Sequence, residues 1–420
     1  MKRVRRFAAA GVRKSWLWRN RSAFCESVAD KRPRLLVDVS AIIRHDAQTG
    51  IQRVVRAVWS ELSRRDGAAF LLQPVFATNL SGYCYAPADF LDTGKRPRAA
   101  SPAKVRTGDK FLGLDLAAHL LPCYRKQLKA WKAHGASIHL VVYDLLPLLR
   151  PEWFTSASVS NFRKWYNVLR NDADQAICIS EQVTNDLRQR IAGAQRPGPE
   201  IVRLEMGADI AASVPSTGVT AEVSELLRRI RFRPAVLMVG TIEPRKGYEA
   251  ALSAFEWLWN NRPSDAPDLI IVGRPGWKTR QFQARLREHP ERAQRLHWLS
   301  NVSDEALCQL YEASAGVLVA SYAEGFGLPL LEATMFRRHV LARDLPVFRE
   351  QLLPNVAFFS DDRPDALGRQ IMQLADLGKR QSAPPAILKS WSDCVDGLLH
   401  EMRIEGVDRA AAGSALRRAS

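Results

Sequence analysis

The chain predicts an α/β protein made of two Rossmann-like domains, and three observations carry that expectation. At 420 residues it exceeds what one ordinary hydrophobic core organises. Short apolar, β-branched runs alternate with amphipathic stretches along it, the pattern of parallel strands covered by helices on both faces. The runs also fall into two series, separated by a segment with little continuous apolar character.

The first series is Leu35–Val39, Phe70–Phe76, Phe111–Leu114, Ile138–Tyr143 and Ala176–Ile179. The second is Ala235–Gly240, Leu269–Gly273, Arg295–Leu299, Gly316–Ala320 and Val340–Ala342. Gly207, Pro215, Gly218 and Pro234 interrupt the chain between them and place a linker near residues 207 to 220. Beyond Pro385, Ile387–Met402 predicts a last helix, with Ser390 or Ser392 as its cap. The expected division is a basic extension at 1–34, Rossmann-like domains at 35–210 and 211–385, and a final helix with a loose tail at 386–420. A ligand then belongs in the cleft between the domains, outside the carboxyl ends of the strands.

Composition narrows the class of partner. With 46% hydrophobic residues the chain is globular. Lys plus Arg number 61 against 44 Asp plus Glu, a net charge of +17, which points to phosphates, a phospholipid surface or nucleic acid. The six cysteines (25, 84, 123, 178, 308 and 394) are scattered, with no Cys-x-x-Cys and no Cys/His cluster, so neither a disulfide framework nor a structural zinc site is indicated. A reducing cytosol fits this usage. No Walker A loop, Gly-x-Gly-x-x-Gly, His-Glu-x-x-His or Gly-x-Ser-x-Gly occurs. No window approaches the roughly 20 apolar residues of a membrane span. Met1 to Arg34 holds eleven Lys or Arg, with Phe7, Trp16, Trp18 and Phe24 among them. That arm reads either as a solvated tail or as a segment lying on anionic lipid.

The chemistry concentrates in the second series. The run Ala315–Ser321 leads into Glu324-Gly-Phe-Gly-Leu-Pro-Leu-Leu-Glu332, in which the glycines predict a tight turn and Pro329 the first residue of a helix. Such a strand, loop and helix aim free backbone N–H groups at one point, an anion site. The two flanking carboxylates accept hydrogen bonds from hydroxyls. A sugar together with a diphosphate means a nucleotide sugar. After the first strand of the same series comes Gly240-Thr-Ile-Glu-Pro-Arg-Lys-Gly247, where Arg245 offers a fork and Lys246 a point charge to a diphosphate. In the first series, Thr49, Gly50 and Ile51 stand just before an amphipathic helix that carries Arg53 and Arg56, and Val142-Tyr-Asp-Leu-Leu-Pro147 closes the fourth run.

These segments resemble the retaining, nucleotide-sugar-dependent glycosyltransferases of family 4, whose signature is Glu-x7-Glu and whose fold is GT-B. The block at Gly240 is similar to that of the mannosyltransferase-like members. The resemblance spans about residues 35 to 402 and is strongest from Val236 to Glu350. It implies transfer of a hexose, mannose as the first choice, from a nucleoside diphosphate sugar to an acceptor hydroxyl. A lipid-linked saccharide in cell-surface polysaccharide or O-antigen assembly is the expected acceptor, and the inner face of the cell membrane the expected place. It also implies that the 35–210 domain takes the acceptor and the 211–385 domain the donor, that the last helix returns to the first domain, and that neither metal nor cofactor is needed.

The implied roles follow residue by residue. Glu324 contacts the donor sugar, and Lys246 with Arg245 takes the diphosphate. Gly50, Gly240 and the backbone of Gly325, Phe326, Gly327 and Leu328 approach the donor, and Glu332, a surface carboxylate of the helix's first turn, binds the ribose diol. Tyr143, where many relatives have His, and Asp144 contact acceptor or sugar, or Asp144 simply caps its loop. Arg53 and Arg56 meet an anionic acceptor or lie on a solvated helix face. Thr241 stands where relatives often carry a basic residue, which leaves Arg245 to supply that cation. Two rival readings are a GT-B nucleotide-sugar epimerase and a basic nucleic-acid-binding protein, although no nucleic-acid motif is present.

Overall fold

A computed structural model describes residues 32–46, 49–78, 80–93, 101–193, 196–210 and 216–404. The basic arm before Arg32 and the tail after Ile404 lie outside the described residues. The first sheet contains β1 (Arg34–Asp38), β2 (Leu71–Phe76), β3 (Cys84–Tyr85), β4 (Lys110–Gly113), β5 (Ser137–Val142), β6 (Gln175–Cys178) and β7 (Glu200–Arg203). The second contains β8 (Ala235–Val239), β9 (Asp268–Val272), β10 (Leu296–Leu299), β11 (Gly316–Val319), β12 (Val340–Arg343) and β13 (Val356–Phe359). The orders are β3-β2-β1-β4-β5-β6-β7 and β10-β9-β8-β11-β12-β13. Every neighbouring pair is parallel except β2 with β3.

Central strands are apolar through their middles because helices cover both faces of each sheet. Leu35, Leu36, Val37, Val236 and Leu237 are all fully buried. Three strands were not anticipated: β3, β7 and β13. Each is short and lies at a sheet edge, where one side of the backbone is free and a strand needs no unbroken apolar run. In both sheets strand order reverses beside the first strand, between β1 and β4 and between β8 and β11. Each reversal opens a crevice at the carboxyl ends, the place where open α/β sheets hold ligands.

The helix Gly50–Arg64 includes Gly50 itself, so the glycine opens the helix and does not precede it. Thr49 caps it: the Thr49 hydroxyl accepts from the Gln52 amide, and the Gln52 side chain accepts from the Thr49 amide. The last described helix, Trp391–Glu401, begins with the equivalent exchange between Ser390 and Asp393, which settles the cap on Ser390. This helix lies against Gly50–Arg64. Its Trp391, Cys394, Val395, Leu398 and Leu399 join the core on one face of the first sheet. Trp391 Nε1 donates to the Asp209 carbonyl at 2.9 Å, and Arg65 reaches Asp396 at 3.0 Å. Among the described residues no helix is long and apolar enough to cross a membrane.

Candidate active site

The loop after β8 is fixed by backbone contacts before its side chains act. Tyr248 donates its hydroxyl to the Gly240 carbonyl at 2.6 Å. Gly273, at the end of β9, packs so closely that a Cβ there would lie 1.8 Å from the Gly240 oxygen. The short turn Pro244–Lys246 then directs Arg245 and Lys246 into the crevice. They converge on Glu324, in the loop after β11: Arg245 at 2.6 Å and Lys246 at 2.5 Å. Ser321 adds a third donor at 2.7 Å. Burial alone would raise the Glu324 pKa, but Arg245 and Lys246 outweigh it and hold the carboxyl at about 2. Arg245 is likewise disfavoured by burial, yet Glu324 and then Glu243 raise its pKa, so the Arg245–Glu324 pair is ionised.

The loop continues into the helix Leu328–Met335, capped by Gly327. Pro329 is therefore the second residue of that helix. It still sits where a missing N–H costs no helical bond. Gly325 is a point of close approach between the two domains. A Cβ on it would lie 1.9 Å from the Tyr143 carbonyl oxygen, so only glycine admits the approach. The Tyr143 hydroxyl points away from the cleft and donates to the Leu114 carbonyl at 2.7 Å. The expected hydroxyl contact from Tyr143 is thus replaced by a backbone contact, because the ring belongs to the first domain's core. Asp144 accepts from the Leu146 amide at 2.9 Å and so does cap its loop. Burial raises its pKa, opposed chiefly by Arg245.

Glu332 corrects a second expectation. It is 1% exposed and faces inward, not out from the first turn. Tyr311 donates to its Oε2 at 2.7 Å, and Arg53 of the first domain donates to its Oε1. The second arm of Arg53 reaches Asp304 Oδ1 at 3.0 Å. Asp304 Oδ2 accepts from the amide and hydroxyl of Ser216, both at 2.9 Å. Arg53 is thus neither solvated nor free for an anionic acceptor. Burial works against its charge, while Glu332 and then Asp304 raise its pKa. Arg56 pairs with Asp46. Sequence reasoning passed over the Arg53 bridge, although the spacing of Gly50 and Arg53 by three places both on one helical face.

Two further ties cross the cleft. Trp277 Nε1 donates to the Trp153 carbonyl at 2.8 Å, and its ring stacks on Phe154 with centroids 5.9 Å apart. Glu350 accepts from the amides of Glu181 and Gln182, both at 3.1 Å, and so places a carboxylate at the positive end of the helix Glu181–Ile191. Between these ties lies a cavity of about 780 Å³ whose lining includes Gly50, Tyr143, Asp144, Gly240, Arg245, Lys246, Glu324–Leu328 and Glu332. Of the residues singled out from the sequence, these and Arg53 share one space, and Arg56 lies outside its lining. Among the described residues no group of three or more His, Cys, Asp or Glu is placed to hold a metal ion.

Comparison with known proteins places this geometry. Residues 229–384 match the family model "Glycosyl transferases group 1". That stretch is similar to the group 1 glycosyl transferases. The serotype-specific mannosyltransferase WbdA of Escherichia coli is 37% identical over 366 residues, which is 85% of this chain and 43% of that protein. The chain therefore spans less than half the length of this relative. The O-antigen chain mannosyltransferase B of Escherichia coli is 30% identical over 175 residues, 40% of this chain and 45% of that protein. Among solved structures, Anabaena HepE in complex with UDP and glucose superposes with a TM-score of 0.58 at 16% identity, covering 88% of this chain and 99% of HepE. WaaG, a glycosyltransferase involved in lipopolysaccharide biosynthesis, gives 0.54 at 15% identity, with 86% and 98% covered. The fold is thus GT-B, and residues 229–384 lie in its second half.

Proposed function

We infer that this protein is a retaining hexosyltransferase that moves a hexose, most simply mannose, from a nucleoside diphosphate sugar to an acceptor hydroxyl. The observation that carries the reading is the convergence of Arg245 and Lys246 on Glu324 at the switch point between β8 and β11. Two fixed cations beside free helix-start amides suit a diphosphate, and the carboxylate between them suits sugar hydroxyls. Glu332 takes the ribose diol. As the bond from the sugar C1 to the phosphate oxygen breaks, negative charge grows on the diphosphate, where Arg245, Lys246 and the amides from Gly325 to Leu328 already point. The acceptor oxygen bonds to C1 from the same face, and its proton passes to the leaving phosphate oxygen. No side chain of the cavity is placed as a covalent nucleophile in this scheme, and no metal enters it.

The finer identity of the acceptor follows from likeness and charge. WbdA and the O-antigen chain mannosyltransferase support mannose and an O-antigen saccharide. The net charge of +17 supports a lipid-linked acceptor presented at the anionic inner face of the cell membrane.

The test is a panel of nucleotide sugars and nucleoside diphosphates measured by thermal stabilisation, followed by transfer to saccharide acceptors. A ligand at 100 times its dissociation constant adds about 2.7 kcal/mol, a clear rise in melting temperature. Stabilisation by GDP-mannose with transfer and retention at C1 is the expected result. Absence of stabilisation by every nucleoside diphosphate sugar would overturn the reading.

A further inference from the structure

Among the described residues, Arg53 is the one residue of the first domain whose side chain engages Glu332, and it does so at the position that the reading above gives to a nucleotide. Both oxygens of Glu332 are engaged, one by Arg53 and one by Tyr311. Both oxygens of Asp304 are engaged as well, one by Arg53 and one by Ser216. The Glu332 side chain is 2% exposed and that of Arg53 17%, so water does not mediate between them. A guanidinium edge and a vicinal diol present the same thing to a carboxylate: adjacent hydrogen-bond donors. Arg53 and Glu332 both line the cavity, which means the guanidinium lies where an incoming ribose would arrive.

We propose that Arg53 and the ribose diol of the donor are alternative partners of Glu332, so that Arg53 is a latch between the domains which the nucleotide must release. The proposal rests on the reading of Glu332 as the diol acceptor. It makes Arg53 a determinant of how strongly the enzyme binds the donor and distinguishes ribose from deoxyribose, without giving it contact with the reacting atoms. Competition of this kind lowers apparent affinity by the fraction of molecules in which the carboxylate is available. A pair formed in nine molecules of ten weakens binding about tenfold. The same competition hides the contribution of the diol, because a 2′-deoxy nucleotide has less need to displace the arginine.

Calorimetric titration with GDP and UDP, and with their 2′-deoxy forms, tests this on the full chain. Arg53→Gln is expected to tighten binding of the ribonucleotide about tenfold, to change the deoxy form little, and so to widen the preference for ribose by the same factor. Arg53→Lys, which keeps the charge but not the fork, is expected to fall between, and it guards against a folding defect in the first variant. Glu332→Gln reports on the underlying reading and is expected to abolish the ribose preference. If Glu332→Gln abolishes that preference while Arg53→Gln weakens both nucleotides or shifts both equally, the diol assignment stands and the latch falls. If Glu332→Gln leaves the preference intact, the diol assignment falls and takes the latch with it.

Discussion

The two sheets reverse their strand order at the same place, yet the loops at the two reversals are used in opposite ways. After β8 and β11, Arg245, Lys246 and Glu324 line the cavity as a mutually paired, largely buried charge cluster. After β1 and β4 the acids turn inward. Asp38 is fully buried and accepts from the Ser40 amide at 2.9 Å and the Tyr83 hydroxyl at 2.7 Å. Asp115 accepts from the amides of Ala41 and Ile42, both at 2.7 Å. Burial pushes Asp38 up to about 6, and burial together with Asp38 pushes Asp115 up to about 7. In the second domain the carboxylate is paired with two cations and kept ionised. In the first, carboxyls hold the loop that leads toward Thr49 and Gly50. The difference shows how one architecture divides labour: one half presents charge, the other presents backbone in a fixed position.

The largest effect that sharpens this contrast comes from the helix shared by the first half. Trp391→Ala, at a side chain 2% exposed, is expected to cost about 3–5 kcal/mol. Hydrogen exchange should quicken in β1 to β7 and stay slow in β8 to β13. Equal loss in both sheets would show that the two cores do not unfold separately.

Next is Lys246→Ala, expected to slow transfer about 10²–10³-fold by removing one preorganised donor to the leaving group, with little change in melting temperature. A rate within twofold of the wild type would break the assignment of charge to the second domain.

The glycines give a paired test. Gly325→Ala forces a methyl against the Tyr143 carbonyl across the cleft and should slow transfer about 10²-fold through misplacement of the domains, while each domain stays folded. Gly273→Ala presses on Gly240 within one domain and should cost about 1–3 kcal/mol of stability. If the two variants behave alike, the cleft is not the joint it is taken for.

The smallest effect is in pH. A carboxyl whose folded pKa lies above its unfolded value of 3.8 favours folding most when protonated, so the stability linked to Asp38 and Asp115 declines as pH rises from about 4 through 6 and 7. Glu324, held at about 2, has the opposite sign: its contribution is complete above the unfolded value of 4.5 and is lost as pH falls toward 2. Asp115→Asn keeps an acceptor for both amides and should flatten the first domain's decline between pH 5 and 8 by about 2 kcal/mol, at about 1.4 kcal/mol per unit of pKa. An unchanged pH profile would mean that Asp115 does not titrate in that range.

What was legible in the sequence follows from the range of each interaction. The loops after β8 and β11 announce themselves through glycine, proline and charge packed into a few residues, and the central strands through unbroken apolar runs. The edge strands β3 and β7 lack such runs where solvent borders them, whereas β13, Val356–Phe359, carries one that the reading of the sequence passed over. Arg53 was illegible for another reason: its partner Glu332 is 279 residues away, and an arginine on an amphipathic helix is ordinarily solvated. The burial of Glu332 was hidden likewise, since Arg53, 279 residues away, and Tyr311, 21 residues away, carry no local mark of covering it.

The return of Trp391–Glu401 to the first sheet has a consequence in time. Ribosomes deliver the chain from the amino end, and at roughly 5–20 residues per second the stretch from Ile210 to Met402 takes roughly 10 to 40 seconds to appear. Throughout that interval the face that Trp391, Val395 and Leu398 later cover is apolar and bare, beside the Gly50–Arg64 helix. The nascent first domain is therefore a client for chaperones until the final helix leaves the ribosome. Early termination before Ser390 should yield a product that holdases retain, whereas a peptide spanning Ser390 to Ile404, supplied in trans, should release it.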